Sequence, residues 1–316
     1  MKTKRNLAVI NMAGCLLAAG ALHGSACSQT EDVKADPTGS VPPANGEAGS
    51  QNVRHWACPQ GIPGAKMVLI SVGDGEAYCI DERETVYAEY REFLHAKGED
   101  TTGQPAQCDW NDSFVPDLSE NSLDCLPEHW QIDTEPNRAV NCVDVCDAWS
   151  YCRWAGKRMC GVRGGDPAKL NVFGDDEVGQ IGTSTESEWF NVCSQGGKTQ
   201  YPYGDTYEPG TCIDESKVQA SGDGVLEVRD ESDSDCHGAI SPYRDVSNMS
   251  GSISEWVNIC RNSGCVVQGG HYSKVAGPES LACAESLGVA ATPSQNFARG
   301  IRCCADAVSG SPEDGG

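Results

Sequence analysis

The sequence predicts an α+β domain, heavy in irregular segments and cross-linked by disulfides. Short apolar runs such as Met67-Val-Leu-Ile-Ser-Val72, ended by Gly73-Asp-Gly75, read as strands too brief for a large sheet. Helical periodicity is confined to a few segments and does not alternate regularly with the strands. Of 18 cysteines, sixteen lie beyond residue 55, an even number that in an exported chain implies disulfides.

Export is read from the first residues. Lys2, Lys4 and Arg5 precede an apolar run from Leu7 to Leu22, and Gly24-Ser-Ala26 supplies small residues before Cys27. That is a signal peptide over 1–26, too short for a membrane span. Cys27 is a candidate lipidated first residue, although Gly24 stands where a lipobox usually has an aliphatic residue. Ordinary cleavage at the same bond is the alternative. Residues 27–54, rich in Asp, Glu, Pro, Gly, Ser and Ala, read as a flexible tether. The domain is expected over 55–306, with a disordered tail at 307–316.

Within the domain, Met67–Val72 and Tyr78-Cys-Ile-Asp81 read as two strands. Tyr87, Tyr90, Phe93 and Leu94 then recur at helical spacing. Residues 101–136 show little periodicity and hold Cys108 and Cys125, so they read as a long stapled loop. Cys146-Asp-Ala-Trp-Ser-Tyr-Cys-Arg-Trp-Ala155 is the strongest helix, with Gly156 as its natural stop. Lys157 and Arg158 follow as an expected solvated helix end. Thr185-Glu-Ser-Glu188 has the pattern of a capping box and begins a further helix that stops at Gly196-Gly197.

A net charge of −23 argues against nucleic acid or anionic lipid as partner, so the membrane enters only through a lipid anchor. Cys142-x3-Cys146 and Cys260-x4-Cys265 lack the second pairs and histidines that a zinc site needs. No Ser-His-Asp arrangement, P-loop or dinucleotide fingerprint is present.

Asn248-Met-Ser-Gly-Ser-Ile-Ser-Glu-Trp256 clusters side-chain oxygens around a glycine turn. That suits a hard cation such as calcium, which takes about six to eight oxygens. The plainer alternative is a surface turn with Glu255 solvated and Trp256 in the core.

Seven motifs in order resemble the sulfatase-modifying factor, or formylglycine-generating enzyme, family. They are Tyr78-Cys-Ile-Asp-Glu-Arg-Glu84, Val140-Asn-Cys-Val-Asp144 continuing to Tyr151-Cys-Arg-Trp-Ala-Gly-Lys-Arg158, Thr185-Glu-Ser-Glu-Trp189 and Tyr201-Pro-Tyr-Gly-Asp205. Asn248 to Trp256, Val267-Gln-Gly-Gly-His-Tyr272 and Gly300-Ile-Arg-Cys303 complete the set. The resemblance implies an elaborated C-type-lectin-like fold with a small sheet, two helices and much irregular structure. It also implies a structural calcium held by Asn248, Gly251, Ile253 and Glu255, the glycine and isoleucine through their carbonyls. A second calcium loop would lie near Cys212-Ile-Asp214, where the family's usual Asn is missing. Two disulfides carry over from the family, Cys152 with Cys303 and Cys193 with Cys283.

The family's enzymes oxidise a sulfatase cysteine to formylglycine, using copper(I) held by two cysteines shortly after the glycine pair. Two soft thiolates suit Cu(I). Here Lys274 and Pro278 or Glu279 stand near those positions, and His271 replaces the serine after the glycines. An ammonium and a carboxylate do not make a Cu(I) site, so copper is not expected. Cys260 and Cys265 could be proposed as substitutes, with a disulfide as the alternative. His271, Lys274 and Glu279 remain as candidate cleft residues. The expected function is therefore a non-catalytic, calcium-stabilised module binding a protein, peptide or glycan. The rival readings are a formylglycine-generating oxidase, or some other metal-dependent oxidation in the same cleft.

Overall fold

The structure, a computed structural model, describes residues 55–73, 75–119, 125–221, 235–272, 278–290 and 294–309. In chain order it runs β1 (Trp56–Ala57), β2 (Met67–Ser71), β3 (Ala77–Asp81), α1 (Tyr87–Lys97), α2 (Val145–Trp154) and β4 (Arg158–Met159). It continues through α3 (Asp175–Gly182), α4 (Glu188–Cys193), α5 (Glu215–Ser221), β5 (Ser254–Arg261) and β6 (Gly264–Gln268). β7 (Ser286–Ala290), β8 (Arg299–Gly300), β9 (Cys303–Asp306) and β10 (Val308–Ser309) complete it. The signal peptide, the tether, Cys27 and Lys274 lie outside the described residues.

Two small sheets and a ribbon result. The apolar β2 and β3 form a hairpin, to which β9 and then β4 add in the order β2-β3-β9-β4, every pair antiparallel. The second sheet has the order β7-β6-β5-β8, with only β8 parallel to its neighbour. β1 pairs with β10, Trp56 opposite Ser309. Val308 and Ser309, just past residue 306, thus find a strand partner in β1.

α1 begins where Glu89 reaches back to accept from the Val86 N–H at 3.0 Å while pairing with Arg83 at 2.8 Å. At α2, Asp144 accepts from the Cys146 and Asp147 N–H groups, and Asp147 accepts from the Asp144 N–H. The helix closes with Gly156 at φ 71° and the Lys157 N–H on the Cys152 carbonyl, a Schellman turn. Residues 145–152 of α2 are all buried. Tyr90 and Phe93 of α1 each lie 5.8 Å, ring to ring, from Tyr151 of α2. A second apolar cluster joins Ile70 and Ile80 of the first sheet to Val257 and Ile259 of the second, with Trp189 of α4.

Two local expectations need correction. The helix at Thr185–Glu188 starts two residues later, because the Ser187 hydroxyl, and not Thr185, accepts from the Phe190 N–H. Lys157 and Arg158 are not a solvated helix end. Lys157 is 3 % exposed and its ammonium meets Asp81 Oδ1 at 2.5 Å and the Ala65 carbonyl at 2.8 Å. The Arg158 guanidinium binds both Glu188 oxygens at 2.6 Å.

Eight disulfides staple this framework. Cys58–Cys79, Cys108–Cys146, Cys125–Cys142 and Cys212–Cys236 secure its loops. Cys152–Cys303 and Cys160–Cys304 tie α2 and the end of β4 to β9, and Cys193–Cys283 ties α4 to the segment before β7. Cys260–Cys265 closes the β5–β6 hairpin. So many bridges mark a protein that folds in an oxidising environment.

Candidate functional site

The stretch Asn248–Trp256 turns sharply before entering β5. Asn248, Gly251 and Ser252 all have positive φ, at 56°, 72° and 53°. A Cβ at Gly251 would stand 2.4 Å from the Ile213 carbonyl oxygen, so no other residue fits without moving backbone. The loop is sewn to its surroundings by backbone bonds. The Gly251 N–H donates to the Gly269 carbonyl at 2.8 Å, and the Ser252 N–H to the Ile213 carbonyl at 2.6 Å. In return the Tyr272 N–H donates to the Ser252 carbonyl at 3.0 Å, and the Ser254 hydroxyl to the Gly270 carbonyl. The glycine pair is as close-packed as the loop. A Cβ on Gly269 would meet the Trp189 ring, and one on Gly270 the Ser280 carbonyl.

Beneath the loop, widely separated segments converge on one guanidinium. Arg302, 1 % exposed, contacts both Glu255 oxygens through Nε at 2.9 and 3.0 Å. Its terminal nitrogens donate to the Asp81 and Ser247 carbonyls. The Trp189 indole N–H donates to Glu255 Oε2 at 2.6 Å. Glu84 faces Arg302 at 3.6 Å and is fully buried. Burial, offset by Arg302, pushes Glu84 up to about 7. Asp81, beside this group, is likewise pushed up by burial, to about 6, although Lys157 and the Cys303 N–H favour its ionised form. Glu255 is therefore not a solvated turn residue.

This arrangement is compatible with a hard cation on the loop. Two buried carboxyls share one guanidinium, and a cation on the loop would favour the ionised form of Glu84 that burial opposes. Carboxylate oxygens also have lone pairs to spare beyond the bonds described. Among the described residues no three His, Cys, Asp or Glu side chains gather as a metal-holding group. A cation would thus depend on Asn248 and on the Gly251 and Ile253 carbonyls beside Glu255. The segment near Cys212–Asp214 is arranged otherwise. Asp214 accepts from Tyr207 Oη at 2.5 Å and from the Gly210 and Lys217 N–H groups, which commits it to the start of α5.

After the glycine pair, His271 and Tyr272 meet an aromatic group that the sequence did not disclose. Phe297 lies 6.1 Å from the His271 ring and 6.4 Å from Tyr272, and His129 lies 5.0 Å from Phe297 on its other flank. All four are half-buried. Burial, with Arg299 adding to it, lowers the His271 pKa, so the ring is neutral near neutral pH. His129 Nδ1 accepts from the Leu126 N–H at 3.1 Å, which leaves the proton of the neutral ring on Nε2. The group is positioned by long-range bonds. Asn141 donates to the Phe297 carbonyl, and the single Tyr87 hydroxyl proton is shared between Asn141 Oδ1 at 2.6 Å and the His129 carbonyl at 3.0 Å.

Glu279 stands next to Ser280, whose carbonyl packs against Gly270, the residue before His271. It is exposed, in the 3-10 turn Pro278–Leu281, and its electrostatic neighbour is Tyr201, which stacks on Tyr203 at 5.6 Å. Every cysteine among the described residues is in a disulfide. Cys260 and Cys265 sit at the turn end of the β5–β6 hairpin, while Gly269 follows its open end. The aromatic group can therefore stack against, and hydrogen-bond to, a ligand, but it holds no thiolate.

The sequence matches the family described as the sulfatase-modifying factor enzyme 1-like domain over residues 69–307. No curated protein sequence matches the chain. Similar solved structures include PvdO from Pseudomonas aeruginosa, at 15 % identity and a TM-score of 0.44 over 77 % of this chain and 92 % of that one. Treponema denticola variable protein 1 is 16 % identical, TM-score 0.44, over 76 % and 94 % of the two chains. CarF is 14 % identical, TM-score 0.41, over 78 % and 96 %.

Proposed function

The chain belongs to the sulfatase-modifying factor enzyme 1-like family, and from that premise we propose that it is a member without the oxidase chemistry, serving as an exported ligand-binding module. One observation carries this reading. All sixteen cysteines from Cys58 to Cys304 are consumed in eight disulfides, so no thiol pair remains to hold copper(I). What stands after the glycine pair is a half-buried aromatic group, His129, His271, Tyr272 and Phe297, on a stapled scaffold. Its ligand is a protein, peptide or glycan with a ring or apolar face to set against Phe297.

Calcium belongs to the same proposal, as a structural support for the loop 248–256 through Asn248, Gly251, Ile253 and Glu255. The two buried carboxyls that share the single Arg302 guanidinium support it. Anchoring through a lipid on Cys27, behind a signal peptide, is proposed from the sequence alone.

The test of function is direct. The purified domain is incubated with Cu(I), oxygen and a Cys-x-Pro-x-Arg peptide, and the peptide mass is followed. Unchanged peptide is expected. Formylglycine formation would establish the oxidase instead.

A further inference from the structure

A cavity of about 380 Å3 lies away from the aromatic group, at the edge where the β1–β10 ribbon meets the β2–β3 hairpin and α4. Its floor is polar and fixed. Arg158 is clamped by both oxygens of Glu188 at 2.6 Å and by Asp306 Oδ1 at 2.9 Å, and Glu188 also accepts from the Gly161 N–H. Tyr78 Oη donates to the Glu188 carbonyl at 2.8 Å and accepts from Asn191 at 2.9 Å. Trp56 lines the rim, half-buried, with its indole N–H held by the Gly75 carbonyl at 2.9 Å. Arg163 and Glu76, 3.4 Å apart, face each other beside it.

We propose that this cavity binds a neutral polyhydroxylated ligand, a mono- or disaccharide unit. Three features select that class. The volume is at the small end of ligand pockets (~300–1,000 Å3), suited to one or two sugar rings. Each lining charge already has a partner, with one acid in excess: Arg158 contacts Glu188 and Asp306, and Arg163 contacts Glu76. An anion would have to displace a carboxylate, and a cation would find each acid already paired. A wholly apolar ligand would strip water from the Arg158–Glu188 pair without replacing its hydrogen bonds.

A sugar meets each requirement. Its hydroxyls donate to the spare lone pairs of the exposed carboxylates Glu76 and Asp306 and accept from the remaining guanidinium N–H groups. Its C–H face packs on an indole that the Gly75 carbonyl keeps from turning away. The floor loses no rotamer freedom on binding, because the clamp has already fixed it.

The test uses saturation-transfer NMR on the purified domain with glucose, galactose, mannose and N-acetylglucosamine at millimolar concentration. Transfer to ring protons of at least one sugar is expected. Trp56→Ala should weaken that binding about tenfold or more, with Trp56→Phe retaining most of it. Arg163→Ala, at the half-buried rim, should weaken it while moving the melting temperature by no more than a few degrees. That second variant decides the matter if Trp56→Ala loosens the ribbon. Absence of transfer from all four sugars would overturn the proposal. So would binding that survives both rim variants but disappears in Phe297→Ala, which would move the ligand to the aromatic group.

Discussion

Arg302 and Glu84 face each other at 3.6 Å with neither side chain exposed to solvent. The same guanidinium serves Glu255 at 2.9 Å, so one cation answers two buried acids. Burial therefore dominates at Glu84 and pushes it up to about 7. A carboxyl raised in the folded state binds its proton more tightly when folded. Its contribution to stability is complete below its ordinary value of 4.5 and is lost as the pH rises through about 7. Glu84→Gln has no proton to lose. Over that window wild type should lose on the order of 3 kcal/mol that the variant keeps. Urea unfolding at mildly acidic and mildly alkaline pH, in EDTA, reads the difference. Parallel pH profiles for the two proteins would remove the assignment.

Truncating Glu255 leaves Arg302 buried against Glu84 alone and strands the Trp189 N–H. Glu255→Ala should cost about 3–5 kcal/mol, the range for breaking a buried ion pair. If the loop holds calcium, EDTA should lower the melting temperature of wild type and leave that of Glu255→Ala unchanged. An EDTA effect of equal size in both proteins would take Glu255 out of the ligand set.

Lys157 and Asp81 form a pair that is wholly inside the protein. Lys157→Met should destabilise by about 3–5 kcal/mol, because the Asp81 charge is left uncompensated. Adding Asp81→Asn should restore part of that loss. A double-mutant cycle gives the coupling, and additive losses would mean that the pair does not interact.

Gly251 combines a positive φ with a backbone oxygen where a Cβ would be. Gly251→Ala should cost about 1–3 kcal/mol, since the Ile213 carbonyl cannot retreat as a flexible side chain could. Calorimetry checks it. A neutral substitution would show that the loop has room to shift.

Phe297 supplies the shared wall of the aromatic group. Phe297→Ala should leave the melting temperature within a few degrees of wild type, because the ring is only half-buried. It should abolish any peptide or glycan binding that wild type shows in the His129–His271 region. Retained binding there would separate the ligand from this group.

Local signals in the chain were readable where structure is made by neighbours. The short run Tyr78–Asp81, the periodic face of Tyr87, Tyr90 and Phe93, and Gly156 after α2 each correspond to an element at that place. What the sequence concealed depends on partners far along the chain. Lys157 looked like a solvated cation because its partner Asp81 lies 76 residues earlier. Arg302 stood out only as part of a motif, although its contacts reach Asp81, Ser247 and Glu255. His129 and Phe297 sit in segments without periodicity, and nothing local marks them as neighbours. Trp56 of β1 and Arg158 of β4 are far apart in the chain and yet line one cavity.

The short ribbon of β1 and β10 also has a mechanical consequence. Because Trp56 lies opposite Ser309, the domain's two ends leave at one point, and tension applied to them peels only two residue pairs before reaching covalent stops. Cys58 is bridged to Cys79 on one side, and Cys303 and Cys304 are bridged to Cys152 and Cys160 on the other. With Cys108–Cys146 closing the path between them, only the chain from Cys79 to Cys108 and from Cys146 to Cys152 can be drawn out. Pulled by its ends, the oxidised domain would lengthen by a small part of its contour and then stiffen, whereas the reduced one would unravel throughout.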